Sequence, residues 1–146
     1  MSYVSYNRTI YGPDPEKAFR VEAGLVAIVG LEHSLAWPAG LVWPGVQALP
    51  TDLREWLAAV ETRLTPEAQW AFCAPSTRDI EVAVALIQVQ RLQSRGEMID
   101  RMDYLTAWTN PNECSHYTIA SLLGTSRETV TKVVARWRSR RSQAAD

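Results

Sequence analysis

Residues 116–135 read HYTIASLLGTSRETVTKVVA, and the order of residue types predicts two helices that cross at a tight turn. Ile119 and Leu123 fall on one face of the first helix, Val130 and Val133 on one face of the second, so each offers an apolar stripe to a shared core. Ala120 is small where the second helix has to pass close by. Gly124 takes, without steric cost, the left-handed backbone that closes such a turn. Thr125 and Glu128 stand in T-x-x-E spacing, which predicts a capping box at the start of the second helix. A plain helical hairpin has no need of a small residue, a glycine and a cap at these offsets together, and a helix-turn-helix does.

With those apolar positions turned inward, Arg127, Glu128, Thr129 and Lys132 are left on or near the exposed face at the N-terminal end of the second helix. In this motif that end enters the major groove of DNA. Arginine pairs bidentately with guanine O6 and N7, and glutamate accepts from cytosine N4, each worth about 1–3 kcal/mol of discrimination. Arg127 and Glu128 are therefore candidate base readers, with capping alone as the other reading of Glu128. Ser126, Thr129 and the free N–H groups of the helix start suit phosphate. Tyr117, Arg136, Arg138 and Arg140 complete the phosphate candidates, with Arg141 beside them.

The charge distribution agrees with this placement. The chain has 146 residues, 15 Lys+Arg against 16 Asp+Glu, and a formal net charge of −1. Divided after residue 114, it carries nine basic and fourteen acidic residues (−5), then six basic and two acidic (+4). A basic block by itself fits a solvated helix face as well as a phosphate-binding surface. Its position behind the turn motif favours the second.

Upstream, the first 17 residues are polar, aromatic and turn-rich and predict an extended arm. AFRVEAGLVAIVGLE, residues 18–32, predicts a β-hairpin or two short strands with Gly24 at the tight position. Trp37-Pro38 and Trp43-Pro44 predict edge strands joined by turns, since proline donates nothing to a ladder. The two rings could form a ligand platform, but covering a small β-layer is the preferred reading. Leu53, Trp56, Leu57, Val60 and Leu64 have helical spacing. Thr65-Pro66-Glu67 then looks like the cap and first turn of a second helix ending before Pro75. Ser76 and Asp79 predict another capping box. The helix behind it, 77–95, is apolar around nearly its whole circumference and needs cover on two sides. One side is assigned to the N-terminal layer. The other is assigned to the same helix of a second subunit through Ile80, Val84, Ile87 and Leu92, with a central helix of a monomeric bundle as the alternative. After a break at Ser94-Arg95-Gly96, residues 98–108 form a further amphipathic helix that ends before Asn110-Pro111-Asn112. Three units result: a mixed N-terminal domain over 1–75, the dimer helix and its successor over 76–108, and the helix-turn-helix with a basic tail over 109–146. The fold class expected is α+β, predominantly helical.

Other function classes find little support. No apolar run reaches the roughly 18–20 residues that cross a bilayer, and no secretory leader is visible, so a cytoplasmic protein with no membrane partner is expected. Cys73 and Cys114 are 41 positions apart, and neither forms a paired Cys/His ligand pattern with His33 or His116, which argues against a disulfide framework and a zinc site. No nucleotide-binding loop, nucleophile elbow or metalloprotease motif occurs. Neither an enzyme nor a cofactor is expected.

The stretch IASLLGTSRETVTKVVARW resembles the DNA-binding motif of the Crp–Fnr superfamily of transcriptional regulators, in which an S-R-E-T-V run opens the recognition helix. The resemblance implies that Arg127 and Glu128 read bases, that Lys132 does so one turn later, and that Ser126 and Thr129 hold phosphate. It also aligns helix 77–95 with the dimerisation helix of that superfamily and FRVEAGLVAIV with a hairpin of its β-roll sensor. The chain departs from the pattern in three places. Between Val29 and Ser76 there is too little sequence for a complete β-roll. No glycine-glutamate phosphate cassette is present to hold a cyclic nucleotide. Beyond Trp137 the sequence RSRRSQAAD replaces the β-wing. The expectation is a homodimeric, sequence-specific regulator acting on double-stranded DNA at a pseudo-palindrome, with RNA polymerase as a further partner. The alternative is an adaptor of phage or plasmid type whose helix-turn-helix binds polymerase or another regulator.

Overall fold

The apolar run that begins at Phe19 divides at Gly24 between two sheets. In the computed structural model, which describes residues 12–93 and 97–145, strands β1 (Phe19–Ala23) and β2 (Leu25–Gly30) follow directly on one another and do not pair. The hairpin reading is thereby corrected to the two-strand reading. One residue is too short for a hairpin loop, and Gly24, at φ +69°, redirects the chain into a second layer. The remaining strands are β3 (Ser34–Pro38), β4 (Val42–Trp43), β5 (Ala59–Leu64) and β6 (Gln69–Phe72). They complete two antiparallel three-stranded sheets of order β4-β1-β6 and β3-β2-β5. As the Trp-Pro units predict, β3 and β4 are edge strands.

Strand β2 has an apolar side chain at every position from Leu25 to Val29, and successive side chains point to opposite faces. Val26 and Ile28 join Phe19, Val21, Leu35, Trp37 and Trp43 in a core between the sheets. Leu25 and Ala27 join Ala36 in a second core that faces the C-terminal helices. Trp37 and Trp43 are fully buried and meet edge to face at 5.1 Å. They fill the inter-sheet core and offer no ligand platform.

The helical period read over residues 51–64 holds only for its first half. Helix α1 (Thr51–Leu57) ends at Ala58, in the left-handed region at φ +47°, and Val60 and Leu64 belong to β5. Pairing of β5 with β2, Ile28 opposite Thr62 and Val26 opposite Leu64, outweighs the local periodicity. Thr65-Pro66-Glu67 likewise forms no helix. The Ala68 N–H donates to the Thr65 carbonyl at 3.0 Å in a tight turn leading to β6, because the φ that proline brings to a helix start suits a turn equally well.

Helix α2 (Thr77–Gln93) starts at the predicted box: the Asp79 N–H donates to Ser76 Oγ at 3.0 Å and the Ser76 N–H to Asp79 Oδ2 at 2.8 Å. The backbone bond holds the Asp79 carboxyl below its usual range. Ala83 and Ile87 are buried against the inter-sheet core. Ile87 is therefore already used within its own chain and is withdrawn from the expected subunit seam. Ile80 and Val84 are half-buried on the same side. The outward stripe is Val82, Ala85, Val89 and Leu92, with Val89 48% and Leu92 72% exposed.

The chain continues through α3 (Met98–Leu105), α4 (His116–Leu123) and α5 (Arg127–Ala145). Among the described residues the fold is thus mixed α+β, with five helices and two three-stranded sheets. The first eleven residues of the predicted arm and the break at Ser94-Arg95-Gly96 lie outside the described residues. The sequence beyond Trp137, expected as a basic tail, continues α5.

Gly30 ends β2 beside the last residue of α1, and a Cβ there would fall on the Leu57 carbonyl oxygen, with the His33 carbonyl oxygen 2.8 Å away. Neither obstacle is a flexible side chain. Gly30→Ala is expected to destabilise the protein by about 2–3 kcal/mol or more, as overpacking against backbone does. Urea unfolding of the variant against the native chain checks this.

Candidate nucleic-acid interface

Helix α4 begins at a cap: Ser115 Oγ accepts from the Thr118 N–H at 3.1 Å. It ends at Gly124, whose φ of +69° confirms the left-handed position read from the sequence. The Gly124 and Thr125 N–H groups both donate to the Ala120 carbonyl, which satisfies one of the carbonyls a helix end leaves open. Thr125 is thus consumed in closing α4. The cap of α5 falls one residue later, where Ser126 Oγ accepts from the Thr129 N–H at 3.2 Å and lies 3.0 Å from Thr129 Oγ1. The predicted Thr125–Glu128 box is corrected accordingly, and Glu128 is an exposed acid of the first turn.

The packing of the two helices matches the sequence pattern. Ile119, Ala120, Leu123, Val130 and Val133 are all buried, joined by Val134 and Trp137. Trp137 Nε1 donates to Asp103 Oδ1 at 3.0 Å, which ties α5 to α3. His116 Nδ1 lies 3.1 Å from Thr131 Oγ1, linking the start of α4 to α5.

The opposite face of α5 carries the chemistry. Glu128, Lys132 and Arg136 follow one another at four-residue spacing, all exposed, on the side away from Val130, Val133 and Trp137. Arg127 is exposed at the first turn, on the flank nearer the sheets. It borders a cleft of about 430 Å³ together with Tyr117, Arg63, Gly124 and the β2–β3 turn residues Leu31 and Glu32. Arg138 donates through Nε to Asn112 Oδ1 at 2.9 Å, and Arg141 covers the Trp137 ring at 5.1 Å, so both lean back on their own chain. Arg140 is exposed between them. Ser126 and Thr129 stand at the helix start, partly engaged with each other.

Tyr117 is 44% exposed, but its hydroxyl is not a simple phosphate contact. It accepts from Arg63 Nη2 at 2.7 Å, and the guanidinium lies over its ring at 4.0 Å. Arg63 also donates to Ser121 Oγ at 2.8 Å and pairs with Glu61 at 2.8 Å. One β5 side chain therefore fastens α4 to the sheet. Nothing in the sequence marks Arg63, which sits in a segment with a helical pattern and no motif of its own.

Among the described residues no helix is long and apolar enough to cross a membrane, and no group of three or more His, Cys, Asp or Glu is placed to hold a metal ion. No family model and no curated protein matches the chain. Among solved structures it is similar to a transcriptional regulator of the CRP family from Thermus thermophilus, 23% identical over 91% of this chain and 82% of that chain, with a TM-score of 0.47.

Arg63→Gln is expected to destabilise the fold by about 1–3 kcal/mol, since it leaves Glu61 and Ser121 without their cation. Tyr117→Phe, which removes one hydroxyl and keeps the ring under the guanidinium, is expected to cost about 1 kcal/mol. Chemical denaturation of the two variants side by side checks the order.

Proposed function

We propose that the protein is a sequence-specific DNA-binding transcriptional regulator that works as a homodimer. The observation that carries this is the capped start of α5, where Arg127, Glu128 and Lys132 are exposed while Ile119, Leu122, Leu123, Val130 and Val133 of the turn motif are buried. Arg127 and Glu128 read base edges in the major groove, with Lys132 one turn later. Arg136, Arg140 and the free N–H groups at the start of α5 engage phosphate, while Ser126, Thr129, Tyr117 and Arg138 do so after releasing or sharing their present partners. In this reading residues 109–146 form the reading unit, 76–108 the dimer unit and 1–75 a reduced sensor.

The subunit seam in this proposal is the outward stripe of α2, Val82, Ala85, Val89 and Leu92. Its three- and four-residue spacing is that of a two-helix seam, and a closed two-fold pair removes its exposed apolar side chains from water. Two recognition helices then lie about 34 Å apart and meet a pseudo-palindromic site.

Selection of bound duplexes from a random pool supplies the site. Arg127→Ala is expected to weaken that site by about 5- to 150-fold and relax one base position, while Arg136→Ala weakens all sequences alike and lowers the salt slope by about 1. Equal binding of the selected site by native and Arg127→Ala protein would remove the assigned reading helix.

For the seam, sedimentation equilibrium at micromolar concentration should give a dimer for the native chain and a monomer for Val89→Asp, which places a charge in an apolar contact. A native monomer would remove the seam.

A further inference from the structure

A cavity of about 170 Å³ lies where the second half of α2, the start of α3, strand β3 and the end of α4 converge. None of the base or phosphate candidates lines it. It holds several times the share of liquid volume of one water molecule, about 30 Å³.

Arg101 is the group that asks for a partner. Its Nη2 donates to the Leu123 carbonyl, at the open end of α4, and its Nη1 lies 3.5 Å from Met98 Sδ. Burial pushes the guanidinium below its usual pKa. The ion pairs among the described residues are Arg63–Glu61 and Arg91–Asp52, so no carboxylate of those residues neutralises Arg101. Arg101 lines the cavity, and the energetic cost of desolvating its half-buried guanidinium falls when an anion binds there.

The rest of the wall narrows the choice of ligand. Glu97 and Asp100, both exposed to solvent, line its rim without pairing with Arg101, so the opening presents one positive and two negative groups. A simple anion on Arg101 gains nothing from these acids and is repelled by them, whereas a ligand that also carries an ammonium meets both signs of charge. Leu105, Leu122 and Leu123 form an apolar side. The complement of this wall is a small molecule that carries a carboxylate, an ammonium and a short apolar group.

We propose that this cavity binds a free apolar α-amino acid, with its carboxylate on Arg101, its ammonium toward Glu97 and Asp100, and its side chain on Leu105, Leu122 and Leu123.

The test is calorimetric titration and thermal shift of the full chain without DNA, so its outcome is independent of the function proposed above. The probes are the twenty amino acids, then leucine against its decarboxylated amine and against the acid lacking the ammonium. Saturable binding by apolar amino acids is expected, with each half-molecule at least about tenfold weaker. Arg101→Gln should abolish binding. Because Arg101 also holds the Leu123 carbonyl, Ser34→Leu is the second variant: it fills the cavity from the strand side, leaves Arg101 in place, and should also abolish binding. Absence of saturable binding by any amino acid up to about 10 mM would overturn the proposal. So would binding that persists unchanged in Ser34→Leu, or equal affinity for the acid lacking the ammonium.

Discussion

Strand β2 is buried on both faces, and the rest of the fold is arranged around that constraint. Val26 and Ile28 belong to the core between the sheets, and Leu25 and Ala27 to the core shared with the C-terminal helices. A strand in that position has to be apolar throughout, as parallel strands covered on both sides usually are, although here both of its neighbours are antiparallel. The N-terminal layers and the turn motif therefore share one element. The orientation of α4 is set by the sheet it lies on, and Arg63 reinforces that contact from β5 with hydrogen bonds to Ser121 and Tyr117.

The same arrangement places opposite charges in separate parts of the chain. Residues up to 114 carry a balance of −5 and those after it +4. Within α5 the buried side chains Val130, Val133, Val134 and Trp137 occupy one side, and the exposed basic residues are spread over the other sides. Glu32, on the β2–β3 turn, is the acid that comes to the same cleft as Arg127.

Much of the C-terminal half was legible in the sequence because its constraints are local. The buried set Ile119, Ala120, Leu123, Val130 and Val133, the left-handed Gly124 and the Ser76–Asp79 box each depend on residues within a few positions of one another. The start of α5 was read one residue early because Thr125 and Ser126 are both good caps, and only the use of the Thr125 N–H in closing α4 decides between them. The N-terminal half was less legible because its constraints are distant. Residues 59–64 have a helical period, and what makes them a strand is β2, with which they pair across the chain from Gly30–Ala59 to Val26–Leu64. Gly24 marks where the run divides, but the sequence does not show that β1 and β2 enter different sheets, because their partners β4, β6, β3 and β5 lie further along the chain. Ile87 reads as a seam residue in the sequence because an all-apolar helix does not reveal which of its sides its own chain covers. Arg63 has three partners, and all but Glu61 are more than fifty residues away in the chain.

Gln90 gives α2 a further property. Its Oε1 accepts from the Ala36 N–H at 2.8 Å and its Nε2 donates to the Ala36 carbonyl at 2.7 Å, the pair of bonds a neighbouring strand would make. One carboxamide thus stands in for a missing strand on the open side of β3. Exposed strand edges are templates for pairing with other chains, so any movement that lifts α2 from the sheet also uncovers an adhesive edge. The helix that carries the outward apolar stripe is at the same time a guard against misassembly, and its freedom to move is bounded by the solubility of the protein.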